Sequence, residues 1–276
     1  MKTVNFGKKI NCTMVTQIHT LFFSPTGTTA KVAKQITAGL DVPALTYNLT
    51  TQKDRNQHRK LSFNSDDLLL VAVPVYAGRI PEFMEELFST FEGQNTPAIF
   101  TVVYGNRDYD DALLELKDLF EGRGFKGIAA GAFIGEHSYT EKVATNRPDA
   151  EDLSAAFQFG QKIKATLDEL PKLKNHRLTV KGNVPYKERK PMPLMAPETN
   201  EKCTDCGVCV EICPMEAIDQ TDNRTIHAEK CIRCNSCVKH CPEKAKSFTH
   251  QIFIEFSERL IQNCSSVRKE PELFFL

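Results

Sequence analysis

Of the ten cysteines in this 276-residue chain, eight fall between Cys203 and Cys241. They read Cys203, Cys206, Cys209, Cys213-Pro214 and then Cys231, Cys234, Cys237, Cys241-Pro242, so C-x2-C-x2-C-x3-C-P occurs twice, displaced by 28 residues. Three thiolates two residues apart can converge on one small inorganic core if the backbone loops around it, and an iron-sulfur cubane takes four thiolates. Zinc is the alternative metal. Its sites separate two C-x2-C pairs by a longer loop, which leaves the third close cysteine and the proline unexplained. Disulfides would need an oxidising compartment, for which nothing else in the chain argues. Cys12 and Cys264 read as plain apolar thiols.

A second stretch with chemistry in it is FFSPTGTTAKVAK, residues 22–34. Ser24, Thr26, Gly27, Thr28 and Thr29 occupy the turn where an apolar strand ends and a helix begins. Free backbone N–H groups, the positive helix end and hydroxyls there suit a phosphate, although the same residue types also serve as a simple helix cap. No lysine follows as in G-x-x-x-x-G-K-[ST], and G-x-G-x-x-G is missing, so a phosphate monoester fits better than a triphosphate and direct use of NAD(P)H is disfavoured.

The elements that must position these residues alternate. From Thr16, strand-length apolar segments (TQIHTLFF, ALTYNLT, DLLLVAVPVY, PAIFTVVY, KGIAAGAFI) are separated by amphipathic helical ones, the last over 149–167. Segments apolar throughout, such as 68–73, imply strands buried on both faces of a parallel sheet. Five strands and four or five helices in alternation predict a doubly wound α/β domain, with ligands beyond the carboxyl ends of the strands.

The cysteine runs resemble the bacterial two-cluster ferredoxins over roughly 200–250. That resemblance implies two [4Fe-4S] clusters with crossed ligands: Cys203, Cys206, Cys209 and Cys241 on one, and Cys231, Cys234, Cys237 and Cys213 on the other. The S-P-T-G-T-T turn resembles the phosphate loop of flavodoxins, and about 15–170 follows their order of loops. The resemblance implies FMN, held also by a ring-contacting loop with Pro74, Tyr76, Ala77, Gly78 and Arg79. A further loop with Tyr104, Gly105, Asn106, Tyr109 and Asp110 would follow the fourth strand, with Tyr109 in the place of a ring-stacking tyrosine. The chain has no tryptophan for the other face of the ring. Arg79, a cation in the ring-contacting loop, is expected to raise the flavin potential, unless it points into solvent.

The whole chain resembles the flavodoxin-ferredoxin fusion proteins. The expected organisation is a flavodoxin-like domain over 1–170 with a five-stranded parallel sheet, a basic proline-rich linker over 171–199, a ferredoxin-like α+β domain over 200–250, and a helix and tail over 251–276. Leu178, Val180 and Val184 suggest that part of the linker packs as a strap, and the closing PELFFL that the tail docks on the first domain. Glu136, His137 and Ser138 follow the fifth strand, where Glu136 and His137 are candidates for proton transfer.

Three functions are compatible with this. The first is an electron carrier between clusters and FMN that links low-potential redox proteins such as a ferredoxin, a flavodoxin or an oxidoreductase. The second is an FMN-dependent reductase of a small-molecule acceptor, fed by the clusters. The third is a redox-sensing binding protein. Lysine plus arginine equals aspartate plus glutamate at 35 each, which argues for neither nucleic acid nor an anionic membrane as partner. No apolar run reaches the ~18 residues of a membrane span, and the N-terminus lacks the apolar core of a secretory signal, so a cytoplasmic location is expected.

Overall fold

Strands that are apolar on both faces need cover on both, and the chain supplies it by alternation. The computed structural model describes residues 15–169 and 176–276; Cys12 lies outside the described residues. The order is β1 (Gln17–Phe22), α1 (Thr28–Leu40), β2 (Ala44–Asn48), α2 (Gln52–Gln57), β3 (Ser62–Phe63), β4 (Asp67–Pro74), α3 (Phe83–Phe88), β5 (Glu92–Gly93), β6 (Thr96–Tyr104), α4 (Ala112–Glu121), β7 (Phe125–Ile134) and α5 (Ala150–Thr166). Beyond these lie β8 (Glu198–Thr199), α6 (Val208–Glu211), α7 (Ser236–Lys239), β9 (Lys246–Ser247), α8 (Gln251–Cys264) and β10 (Glu272–Phe275).

The main sheet runs β10-β7-β6-β4-β1-β2. Its five parallel strands, numbered among themselves, have the order 2-1-3-4-5 of the flavodoxin-like doubly wound fold. Every residue of β6 is buried, as expected of a strand covered on both faces. One apolar layer sets Phe88, Phe100 and Phe120 under α3 and α4, and the other sets Val32, Ile36, Ala156 and Phe159 under α1 and α5. Helices α1 and α5 touch at Gly160, where an added Cβ would stand 2.2 Å from the Ile36 carbonyl oxygen.

The tail does more than dock. β10 pairs antiparallel with β7, from Glu272 opposite Ala132 to Phe275 opposite Ala129, and makes a sixth strand. This satisfies the backbone of an otherwise open edge, and Phe275 meets the Phe159 ring at 5.4 Å. The segment 176–197 lies on the first unit as a strap. Leu178 and Val180 are buried there, whereas Val184 is exposed. Asp111 accepts from the backbone N–H groups of Asn183 and Lys187. Lys181 pairs with Asp108, Lys187 with Asp110, and Arg189 with Glu85 and Glu115, so these strap charges are neutralised within the chain.

The cysteine unit repeats its backbone as well as its sequence. Left-handed residues recur 28 apart: Asp205 and Arg233, Gly207 and Asn235, Glu216 and Lys244. The Cys213 sulfur accepts the Ala217 N–H at 3.2 Å, and the Cys241 sulfur accepts the Ala245 N–H at 3.2 Å.

Candidate cofactor sites

The two cysteine runs fold so that each borrows its fourth cysteine from the other. One small cavity is lined by Cys231, Cys234 and Cys237 together with Cys213, and a second by Cys203, Cys206 and Cys209 together with Cys241. Both sets suit a cubane, whose four thiolates stand around an inorganic core. Among the described residues no three His, Cys, Asp or Glu side chains converge tightly enough to share a single metal ion. Burial pushes the Cys237 thiol up to about 12 and Cys234 higher still, so a thiolate there needs a compensating cation such as iron. The surroundings differ: Ile218, Ile226, Ile232 and Phe248 wall the first cavity, while Thr204, Asn223 and Glu243 edge the second, where Cys206 is exposed.

At the carboxyl ends of β1, β4, β6 and β7 lies a larger cavity of about 260 Å³. Thr26, Thr28 and Thr29 line it where α1 begins. That helix has no acidic residue in its first turn and no side-chain cap bond from Gly27, its N-cap, whose φ of 81° a side chain would strain. An added Cβ on Gly27 would meet nothing within 4 Å, so the turn faces open space. The Thr28 and Thr29 amides and the threonine hydroxyls at that opening fit a phosphate, while the Ala30 amide is taken by Ser24. Pro74, Tyr76, Ala77 and Gly78 form one wall and Tyr104 and Gly105 another, while Glu136 and His137 also line the cavity. The aromatic walls and the anion-binding turn together fit a flavin mononucleotide.

Several predicted residues lie elsewhere. Ser24 turns inward: its hydroxyl accepts the Ala30 N–H and its own N–H goes to the Thr50 hydroxyl. Tyr109 is 1% exposed and outside the cavity wall. It packs 5.5 Å behind the Tyr104 ring, because its hydroxyl donates to Glu272 of β10 at 2.7 Å. Asn106 is buried, and its amide donates to the Cys264 and Val267 carbonyls at 2.8 and 2.7 Å. Asp110 is bound by Arg107 and Lys187. Arg79 neither reaches the cavity nor points into solvent. Its Nε donates to Glu115 at 2.7 Å, its Nη2 also at 2.6 Å, and its guanidinium lies 4.8 Å over the Tyr186 ring. For all but Ser24 the reason is that the strap and the C-terminal segment bind these side chains, and neither segment carries a flavodoxin-type signal.

Those segments supply cavity residues instead: Met192 from the strap, Phe256 and Leu260 from α8, and Ile232, Arg233 and Cys234 from the cysteine unit. Tyr139 lines the cavity as well, backed by Phe253 at 4.5 Å and Phe256 at 5.9 Å, and so supplies aromatic surface where tryptophan is missing. The cysteine unit is pinned at this end of the sheet. The Ser236 hydroxyl donates to the Pro25 carbonyl at 2.7 Å, Lys239 pairs with Glu136 at 2.5 Å, and Arg55 donates to the Pro214 carbonyl at 2.6 Å. Glu136 is therefore held by the docked unit. Burial, with Lys239 and Arg107 nearby, pulls His137 down to about 4, so its imidazole is neutral near pH 7, and Nδ1 accepts the Tyr139 N–H at 3.1 Å.

Residues 202–249 match the 4Fe-4S dicluster domain family. No curated protein matches the chain. Among solved structures, the chain is similar to a flavodoxin from the domain Archaea, at 13% identity over 55% of this chain and 98% of that one, with a TM-score of 0.39. A Streptococcus pneumoniae TIGR4 flavodoxin matches at 15% identity over 54% and 99%, TM-score 0.38. The apo form of an NADH:FMN oxidoreductase matches at 17% identity over 54% and 90%, TM-score 0.38. The fold assignment itself stands on strand order: a flavodoxin-like sheet is joined to a 4Fe-4S dicluster domain. Among the described residues no helix is long and apolar enough to cross a membrane.

Proposed function

We propose that this chain is an electron-transfer flavoprotein that holds FMN in the 260 Å³ cavity and one [4Fe-4S] cluster in each cysteine-lined cavity. The observation that carries this reading is a shared wall. Ile232, Arg233 and Cys234 line both the flavin-type cavity and the cavity of Cys213, Cys231, Cys234 and Cys237. The cavity of Cys213, Cys231, Cys234 and Cys237 is the inner cluster site, and the one of Cys203, Cys206, Cys209 and Cys241, with Cys206 exposed, is the outer site that meets redox proteins. Clusters exchange single electrons and a flavin exchanges one or two. The chain's contribution is position: Ser236, Lys239 and Arg55 fix the inner site against the flavin cavity, so transfer needs no encounter between separate proteins.

One observation favours a second reading. Glu136 and His137 both line the cavity wall, which places polar, proton-bearing groups beside a small acceptor, as a reductase requires. Anaerobic purification tests the cofactor assignment. The expected content is about eight irons and about eight sulfides per chain, with one FMN; colourless or zinc-loaded protein overturns it. Reoxidation of the reduced protein separates the two readings. Turnover of a small molecule to product makes it a reductase, and reoxidation by redox proteins alone makes it a carrier.

A further inference from the structure

The cation expected beside the flavin, Arg79, is bound to Glu115. Another cation stands in its place. Arg233 lies between Cys231 and Cys234 and lines both the inner cluster cavity and the flavin-type cavity. Its Nε–H is buried and has no hydrogen-bond partner. A buried N–H of a charged group left without an acceptor is costly, so such a group in a cavity wall is suited to a ligand that brings the acceptor. Arg107, the other arginine of this wall, is by contrast already paired with Asp110.

The neighbours of Arg233 show which cavity it serves. Its guanidinium lies beside the Tyr139 side chain, and Tyr139 lines the flavin-type cavity and not the cluster cavity. The corresponding residue of the first cysteine run, 28 positions earlier, is Asp205, which is exposed and carries the opposite charge. The arginine therefore belongs to the run that meets the flavin cavity and is not a requirement of the cluster loop itself.

We infer that Arg233 is a flavin-binding residue: its guanidinium donates to the polar edge of the isoalloxazine, so the cysteine unit completes the flavin site of the other domain. This rests on the reading of the cavity as an FMN site. A flavin that takes up electrons in excess of protons gains negative charge, and a fixed cation beside it favours that form. The second unit then sets both flavin affinity and flavin potential, in addition to carrying electrons.

The test uses the full chain, purified anaerobically, with Arg233→Gln and Arg233→Lys. Iron and sulfide counts establish that both clusters are present; FMN affinity is read by fluorescence quenching and the flavin midpoint by potentiometric titration. Arg233→Gln is expected to bind FMN roughly tenfold more weakly. Its equilibrium constant for the charge-adding electron should fall about tenfold, a shift of about 59 mV to lower potential. Arg233→Lys keeps the charge and loses the planar fork, so its affinity should fall while its potential stays near that of the unaltered chain. Unchanged affinity and potential in Arg233→Gln at full iron content would overturn the inference. If that variant fails to take up clusters, unchanged affinity in Arg233→Lys overturns it instead. An unaltered chain that binds iron but no FMN removes the flavin site itself, and this inference with it.

Discussion

The two cysteine runs share their spacing, their left-handed positions and their N–H to sulfur bonds, yet their surroundings are opposite. In the run that meets the flavin cavity stand Ile232, Arg233, Ser236 and Lys239; 28 residues earlier stand Thr204, Asp205, Val208 and Glu211. An apolar residue replaces a polar one, and both acidic residues become basic. What every copy must keep is the set of groups that hold a cubane. What differs is the set that touches the rest of the molecule: Ser236 and Lys239 bind the first domain, whereas Asp205 and Glu211 are exposed. On the proposed reading, a few side chains between the ligands distinguish an inner site from an outer one.

Removing a ligand breaks the comparison most severely. Cys234→Ser is expected to lose the inner cluster, with iron falling from about eight to about four per chain, and to disconnect the flavin from the outer cluster. Cys206→Ser should lose the same amount of iron and leave the inner cluster beside the flavin. Iron analysis with rapid-mixing spectrophotometry distinguishes them; if both variants reduce flavin at the same rate, the inner and outer assignment is wrong.

Next in size is the exchange of the docking charge. Lys239→Glu gives the second run the residue of the first and sets two carboxylates against each other at Glu136. Both partners of the native pair are 18% exposed, so about 3 kcal/mol of docking free energy should be lost. Limited proteolysis should then cut between the units. Adding Glu136→Lys should restore much of the resistance; no recovery in the double variant would show that the pair does not hold the interface.

A smaller effect follows from pH. His137 is pulled down to about 4 when folded, below its ordinary 6.5, so the unfolded chain binds a proton that the folded chain refuses across that interval. Stability therefore rises with pH between about 4 and 6.5, and acidification through this window costs about 2–3 kcal/mol, allowing for water near a half-buried ring. Urea titrations at pH 7 and pH 4 measure it, and His137→Asn should flatten the dependence. Because Lys239 contributes to the depression of His137, Lys239→Ala should narrow the window. A dependence that survives in His137→Asn assigns it to another group.

The smallest change expected at the flavin is that of Arg79→Ala. Its guanidinium is held by Glu115 and lies outside the cavity, so the flavin midpoint should not move even if stability falls. A clear drop in potential would return Arg79 to the flavin site and weaken the case for Arg233.

Local physics made much of this legible in the sequence. A buried parallel strand such as β6 announces itself by unbroken apolar character, and a 4Fe-4S domain by its cysteine spacing, so the sheet and the cysteine-rich domain followed directly. The missing parts depend on contacts between residues distant along the chain. β10 is four residues long and acquires its role only by pairing with β7, about 140 positions earlier. That pairing brings Glu272 to the Tyr109 hydroxyl and keeps this tyrosine in the core, while Tyr104, five residues before it, lines the cavity. Glu115 likewise draws Arg79 away from the ring loop, with Arg189 of the strap on its other side. No pattern in the 171–199 composition reveals that Lys181, Lys187 and Arg189 have partners already.

The most direct test of the shared wall is magnetic. In anaerobically prepared Cys206→Ser and Cys234→Ser, poised so that the flavin is a one-electron radical and the remaining cluster is reduced and paramagnetic, the spin relaxation of the flavin EPR signal should be strongly accelerated in the first, which keeps the neighbouring cluster, and close to that of an isolated flavin in the second. Equal relaxation in the two variants, or acceleration only in Cys234→Ser, would contradict the arrangement described above.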